Sequence, residues 1–266
     1  MKLRRAPRPH VKTPDDRMTL MEHLAELRGR IIKSLLAITL GALVMFVFYD
    51  QILNFLAQPY FDVCKQHPDF GCSGDKFLIT GPLDGFSTRV KVSGYGGLVV
   101  ALPIVLWQLW RFITPGLHKN EKKYAVPFIL CSVALFLFGA FIAYFIMPYA
   151  VEFLIGYSGP VTAAFTPNKY VSLLSIMMLA FGVGFLFPVL LVFLQLVGVL
   201  TPKQLSHWRR QAIVIVVVVA AVITPSGDPY SLAALSIPMY VFYECSIVIG
   251  WFLTRNKRRN LEPHPG

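Results

Sequence analysis

Charge is scarce in this 266-residue chain, and negative charge scarcer still: Asp, Glu, Lys and Arg make up 15% of residues, with 14 acids against 25 bases. No GxxxxGK[ST] string occurs, which removes the phosphate cradle of a P-loop nucleotidase. No GxSxG string or paired His/Asp arrangement lies in the apolar stretches, so an intramembrane hydrolase has no support. Cysteine is limited to four residues, none with a histidine at zinc-site spacing, and no metal or cofactor is expected. The most informative absence is charge within three long apolar runs, Val92–Ile113, Tyr124–Met147 and Val171–Gly198. Each reaches the about 20 residues that a helix needs to cross roughly 30 Å of hydrocarbon. A soluble helix keeps a polar face, and these runs have none.

What is present completes a polytopic pattern. Ile31–Tyr49 is a further span, with Lys33 near enough to its start to reach the interface. Ala212–Thr224 is short and rich in Val and Ile; among spanning helices it reads as a short membrane helix, because an open strand is not viable in lipid. Ser231–Leu253 follows the turn Pro225–Pro229, so these two form a hairpin, and the short member should thin the bilayer beside it. The expected fold is all-α, with six spans at about 31–49, 92–113, 124–147, 171–198, 212–224 and 231–253. Mean hydropathy is +0.59 and net charge +11, but the location of the charge argues against nucleic acid as a partner. With the N-terminus inside, 19 of the 25 bases fall in cytoplasmic segments and 5 in outer ones, which places both termini in the cytoplasm.

Residues 1–18 read as a disordered basic tail, 19–253 as the membrane domain and 254–266 as a cytoplasmic tail. The opening run MKLRRAPRPHVK has no apolar core beside it, so it is not a cleaved secretory signal. Thr19 with Glu22 makes a capping-box pattern at the head of an interfacial helix, with Leu20, Leu24, Leu27 and Ile31 on one stripe. The outer loop from Asp50 to Lys91 is too short for an enzyme domain and suits a cap of short helices. Its Cys64 and Cys72 suit a local disulfide, with two free thiols as the alternative; Cys131 and Cys245 are small residues within spans. Thr114-Pro115 and Thr201-Pro202 each place an N-cap before a proline at the first helical position. Pro103, Pro188 and Pro238 should kink their helices, leaving a concave face in the bundle.

Three acids are candidates for function. Glu26 and Glu121 are among few carboxylates on a basic face, so a ligand with adjacent arginines would bind where they converge. Pairing with Arg28 and Lys122 on an ordinary surface is the alternative. Glu244 lies in the last span, where an unpaired carboxylate is costly, so it should face the protein interior or a wet cavity. An ion-coupled transporter of small solutes using Glu244 is the rival function; it predicts several mid-membrane charges and a repeat-related pair of broken helices, neither of which the sequence offers. Interfacial anchoring accounts for Arg89 and Lys91, and an aromatic belt for Trp107, Trp110 and Phe112.

The strings EHLAELRGRI (Glu22–Ile31), PIVLWQLWRFITPGLHKNEKK (Pro103–Lys123), FGVGFLFPVLLVFLQLVGVLTP (Phe181–Pro202) and IPMYVFYE (Ile237–Glu244) resemble, in order, those of the TatC family, the core receptors of the twin-arginine protein translocase. The likeness runs from about Met18 to Leu253. It implies a non-enzymatic receptor in the inner membrane of a prokaryote that binds twin-arginine signal peptides and exports folded cargo on the proton-motive force. It further implies single-span TatA- and TatB-like partners, contact with membrane lipids and assembly of several copies. By the same resemblance Glu26 and Glu121 form the arginine site, with Leu27, Arg28, Arg30, Phe112 and Pro115 beside them. Pro59 and Pro103 shape the cap and the second span, and Glu244 matches a family carboxylate. Leu186 and Leu232 stand where members often carry a glutamate and a glutamine, so partner docking there would rest on shape and apolar packing.

Overall fold

The structure, a computed structural model, describes residues 20–67, 77, 81–113, 125–157 and 166–259. Every regular element among them is helical. The residues 1–18, Thr19, Cys72, Thr114, Pro115 and Glu121 of the sequence analysis lie outside the described residues.

The interfacial segment and the first span form one continuous helix, α1 (Leu20–Val47), of 28 residues. At 1.5 Å per residue it is ~42 Å long, so it outreaches the hydrocarbon. It ends where Phe48 turns to φ −90°, ψ 16°, and α2 (Tyr49–Gln66) begins the expected cap, with Pro59 inside it. Leu56, Tyr60 and Val63 bury one face of α2, chiefly against α4.

The next helix, α3 (Asp84–Ile113), starts eight residues before the apolar run at Val92 and contains Pro103. α1 packs chiefly along α3. Their crossing is possible because both lack a side chain there: a Cβ on Gly41 would lie 2.7 Å from the Gly97 carbonyl oxygen, and one on Gly97 2.4 Å from the Ala42 nitrogen. Within lipid, helices associate by such close backbone packing, since burial from water gives no drive.

α4 (Ala125–Tyr157) contains Pro148 and runs ten residues beyond 147, where the sequence reading ends the third span. The fourth apolar run is broken into α5 (Pro167–Gly184) and α6 (Phe187–Leu196). Pro188 has no N–H to offer the turn before it, and the ladder tightens there to a bond from the Leu186 N–H to the Val183 carbonyl, 3.0 Å long. α7 (Pro202–His207) opens on a complete capping box, with the Thr201 N–H donating to Gln204 Oε1 at 2.9 Å. α8 (Arg209–Ile223) has 15 residues, and α9 (Pro229–Arg259) runs past the expected boundary at residue 253.

Among the described residues, five stretches are long and apolar enough to cross a membrane: Met21–Val47, Asp84–Phe112, Val126–Tyr157, Pro167–Leu196 and Pro229–Phe252. α8, the short fifth span of the sequence reading, is ~22 Å long and falls below that length. α4, α5 and α9 interlock through buried Met147, Leu174, Phe181, Leu235 and Met239. Where α6 departs from α5, an apolar hollow of about 400 Å³ opens, lined by Leu106, Trp110, Phe187, Phe193, Val216 and Met239. Of the three in-span prolines, Pro188 falls at a helix break, while Pro103 and Pro238 lie inside the continuous helices α3 and α9.

Candidate functional site

At the basic end of the bundle, the first turns of α1 meet the last turn of α3. The His23 ring stacks on Phe112 at 4.4 Å between centroids and 17° between planes. That contact fixes the rotation of the α1 head. Glu26, three residues on from His23, is a helical neighbour of it. The Glu26 carboxylate is joined to the Arg30 guanidinium, the pair having only 23% and 14% of their side chains exposed. Leu27 is half-buried and Arg28 exposed. The structure therefore brings Glu26, Arg30 and Phe112 to one end, while Glu121 and Pro115 fall in the segment 114–124 that is not described.

Glu244 does face a partner, and it is an arginine far along the chain. Arg209, at the head of short α8, donates to Glu244 Oε2 at 2.8 Å, and the Tyr240 hydroxyl donates to Oε1 at 3.1 Å. One helical turn away, buried Gln195 of α6 donates to the Ser246 carbonyl at 3.0 Å, and its Oε1 lies so near Gly250 that a Cβ there would come within 1.7 Å. Tyr243 donates its hydroxyl to the Leu205 carbonyl of α7 at 2.6 Å. Together these tie α6, α7 and α8 to α9.

At the opposite end, three features escaped the sequence reading. Arg89 is caged, its guanidinium 5.1 Å from the Phe46 ring centre and 4.6 Å from that of Tyr49, with Asp50 at 3.7 Å. Burial pushes the Tyr49 phenol up, with the Arg89 charge opposing and Asp50 adding to the rise. Lys91 is more than an anchor: its amine donates to Asn168 and, at 2.8 Å, to Ser172 of α5. Asp228 is fully buried and accepts from the Ser231 N–H at 2.6 Å and from the Ser226 hydroxyl, fastening the turn before α9. An Asp-Pro step ahead of an apolar run was the signal available for it.

Cys64 is disulfide-bonded, while its expected partner Cys72 lies outside the described residues; Cys131 and Cys245 are free. Among the described residues, no three His, Cys, Asp or Glu gather to hold a metal. The basic end offers an acid, cations and aromatic surface, which suit recognition of a charged peptide.

A family model described as Sec-independent protein translocase protein (TatC) matches residues 22–238. A protein of that name from Frankia casuarinae is 39% identical over 256 residues, covering 94% of this chain and 70% of its own. One from Aquifex aeolicus is 36% identical over 245 residues, covering 91% and 98%. A crystal structure of a twin arginine translocase receptor, TatC, superposes with a TM-score of 0.68 at 35% identity, covering 88% of this chain and 100% of that one. A second, in the detergent DDM, gives 0.70 at 35% identity, covering 86% and 99%.

Proposed function

This chain belongs to the TatC family of Sec-independent protein translocase proteins, and we propose that within the translocase it is the subunit that receives the twin-arginine signal peptide. It is a multi-pass inner-membrane protein and works with the other subunits of the Tat complex. In the proposed arrangement both termini and the basic end are cytoplasmic, and α8 is a short fifth span. The peptide's arginines engage Glu26 and Glu121, and its apolar segment enters the hollow beside Trp110 and Phe193. Single-span TatA- and TatB-like partners assemble around it, several copies act together, and the proton-motive force drives export of the folded cargo. The chain is a binding scaffold without covalent chemistry.

The observation that carries this reading is the His23–Phe112 stack. It holds Glu26 at the end of α3, from which the chain continues directly into the segment containing Glu121. Two adjacent arginines call for two carboxylates, because each guanidinium makes its strongest contact with a carboxylate, in bidentate geometry.

Crosslinking of a twin-arginine signal peptide to membranes containing this protein tests the proposal. Glu26→Ala and Glu121→Ala are each expected to lose most of the adduct, as is a peptide with both arginines replaced by alanine. Equal adduct in every variant, with the proteins folded and inserted, would remove the site assignment.

A further inference from the structure

Under the proposed function, the carboxylate that receives a signal-peptide arginine already holds an arginine of its own chain. Arg30 lies one helical turn beyond Glu26 and is bonded to its Oε1. The pair is incompletely used. Glu26 Oε2 and Arg30 Nε are both buried with no hydrogen-bond partner. A carboxylate and a guanidinium matched in bidentate fashion would satisfy both groups; the i, i+4 tether along one helix holds them in a geometry that leaves one of each unmatched. The Glu26 side chain is 23% exposed, which leaves the pair within reach of a ligand.

We propose that Arg30 is a specificity-determining residue: it is a built-in competitor for Glu26 that a ligand must displace, so that it sets the threshold a signal peptide has to exceed. This rests on the reading of Glu26 as the receptor carboxylate. A ligand with a single arginine exchanges one guanidinium for another at Glu26 and gains little. A lysine, a point donor without the planar fork, loses by the exchange. A ligand with two adjacent arginines brings a second guanidinium, and its contact adds to the exchange at Glu26. Selectivity of this kind comes from a contact that must be broken, rather than from an additional attraction.

The test uses the full chain in lipid nanodiscs and a fluorescent signal peptide carrying either twin arginine or twin lysine, with affinity read by anisotropy. Arg30→Gln is expected to tighten the twin-arginine peptide roughly tenfold, the factor for one charge-assisted contact that no longer has to be broken, and to bring the twin-lysine peptide into the measurable range. The gain must vanish when Glu26→Gln is added, because a competitor for Glu26 has no effect once Glu26 is gone. Arg30→Lys keeps the positive charge and is expected to fall between wild type and Arg30→Gln, which carries the test if the glutamine variant misfolds. Weaker or unchanged twin-arginine binding in Arg30→Gln, with Glu26→Gln also weak, would overturn the competition and leave the receptor site standing. Unchanged binding in Glu26→Gln alone would remove the receptor site, and the competition with it.

Discussion

Arg209 and Glu244 are 35 positions apart in the chain and 2.8 Å apart in space. Hydropathy alone showed that Glu244 needed a partner, since a lone carboxylate among apolar residues is costly. It did not show which, because the pairing depends on α8 being too short to carry Arg209 beyond the depth of Glu244. With about half of Arg209 and a third of Glu244 exposed, the ion pair stabilises by only about 1 kcal/mol. Arg209→Ala is expected to lower thermal stability in detergent by that amount, and the exchange Arg209→Glu with Glu244→Arg to recover part of it. Glu244→Gln should retain most of the export activity, because the amide oxygen still accepts from Arg209 while the amide NH2 donates to the Tyr240 hydroxyl. A transporter that used Glu244 as its ion carrier would instead be silenced by that change. At the proposed arginine site, the charges were legible in the sequence as rare acids on a basic face. The internal pairing of Glu26 with Arg30, and the support of His23 by Phe112, needed the fold.

Among the elements, the break at Pro188 and the α7 cap followed from local chemistry that any reader of the chain can apply. Thr201-Pro202 with Gln204 two residues on writes its own capping box, and Thr201→Ala is expected to cost about 1 kcal/mol. The seam between α1 and α3 was not legible. Gly94, Gly96 and Gly97 look alike in the sequence, yet a Cβ would meet nothing at the first, the Met45 side chain at the second and the Ala42 backbone at the third. Only Gly97 is at the crossing. Gly97→Val is therefore expected to destabilise the fold by about 1–3 kcal/mol, an overpacking cost, while Gly94→Val is neutral. Because the seam carries the head of α1, the Gly97 variant should also lose signal-peptide crosslinking without any change at Glu26. Limited proteolysis and crosslinking on the same membranes check both halves.

For the molecule as a whole, an all-helical membrane bundle was readable from apolar runs alone. Helix ends were not, because hydropathy marks where lipid is tolerated while the hydrogen-bond ladder continues into water. α3 begins at Asp84 and α4 continues to Tyr157 for that reason. The shortness of α8 has a consequence that reaches outside the chain. As the proposed fifth span, α8 is a wall of ~22 Å in a leaflet pair of ~30 Å, and the surrounding lipid must thin to meet it, at a fraction of a kcal/mol for each ångström. Two copies that turned this wall toward one another would share a single dimple where apart they would each sustain their own, so the bilayer itself is expected to draw them together. Energy transfer between labelled copies should accordingly rise as the acyl chains of the host membrane are lengthened. One extra turn of leucine inserted into α8 should abolish that dependence, leaving the lipid nothing to heal.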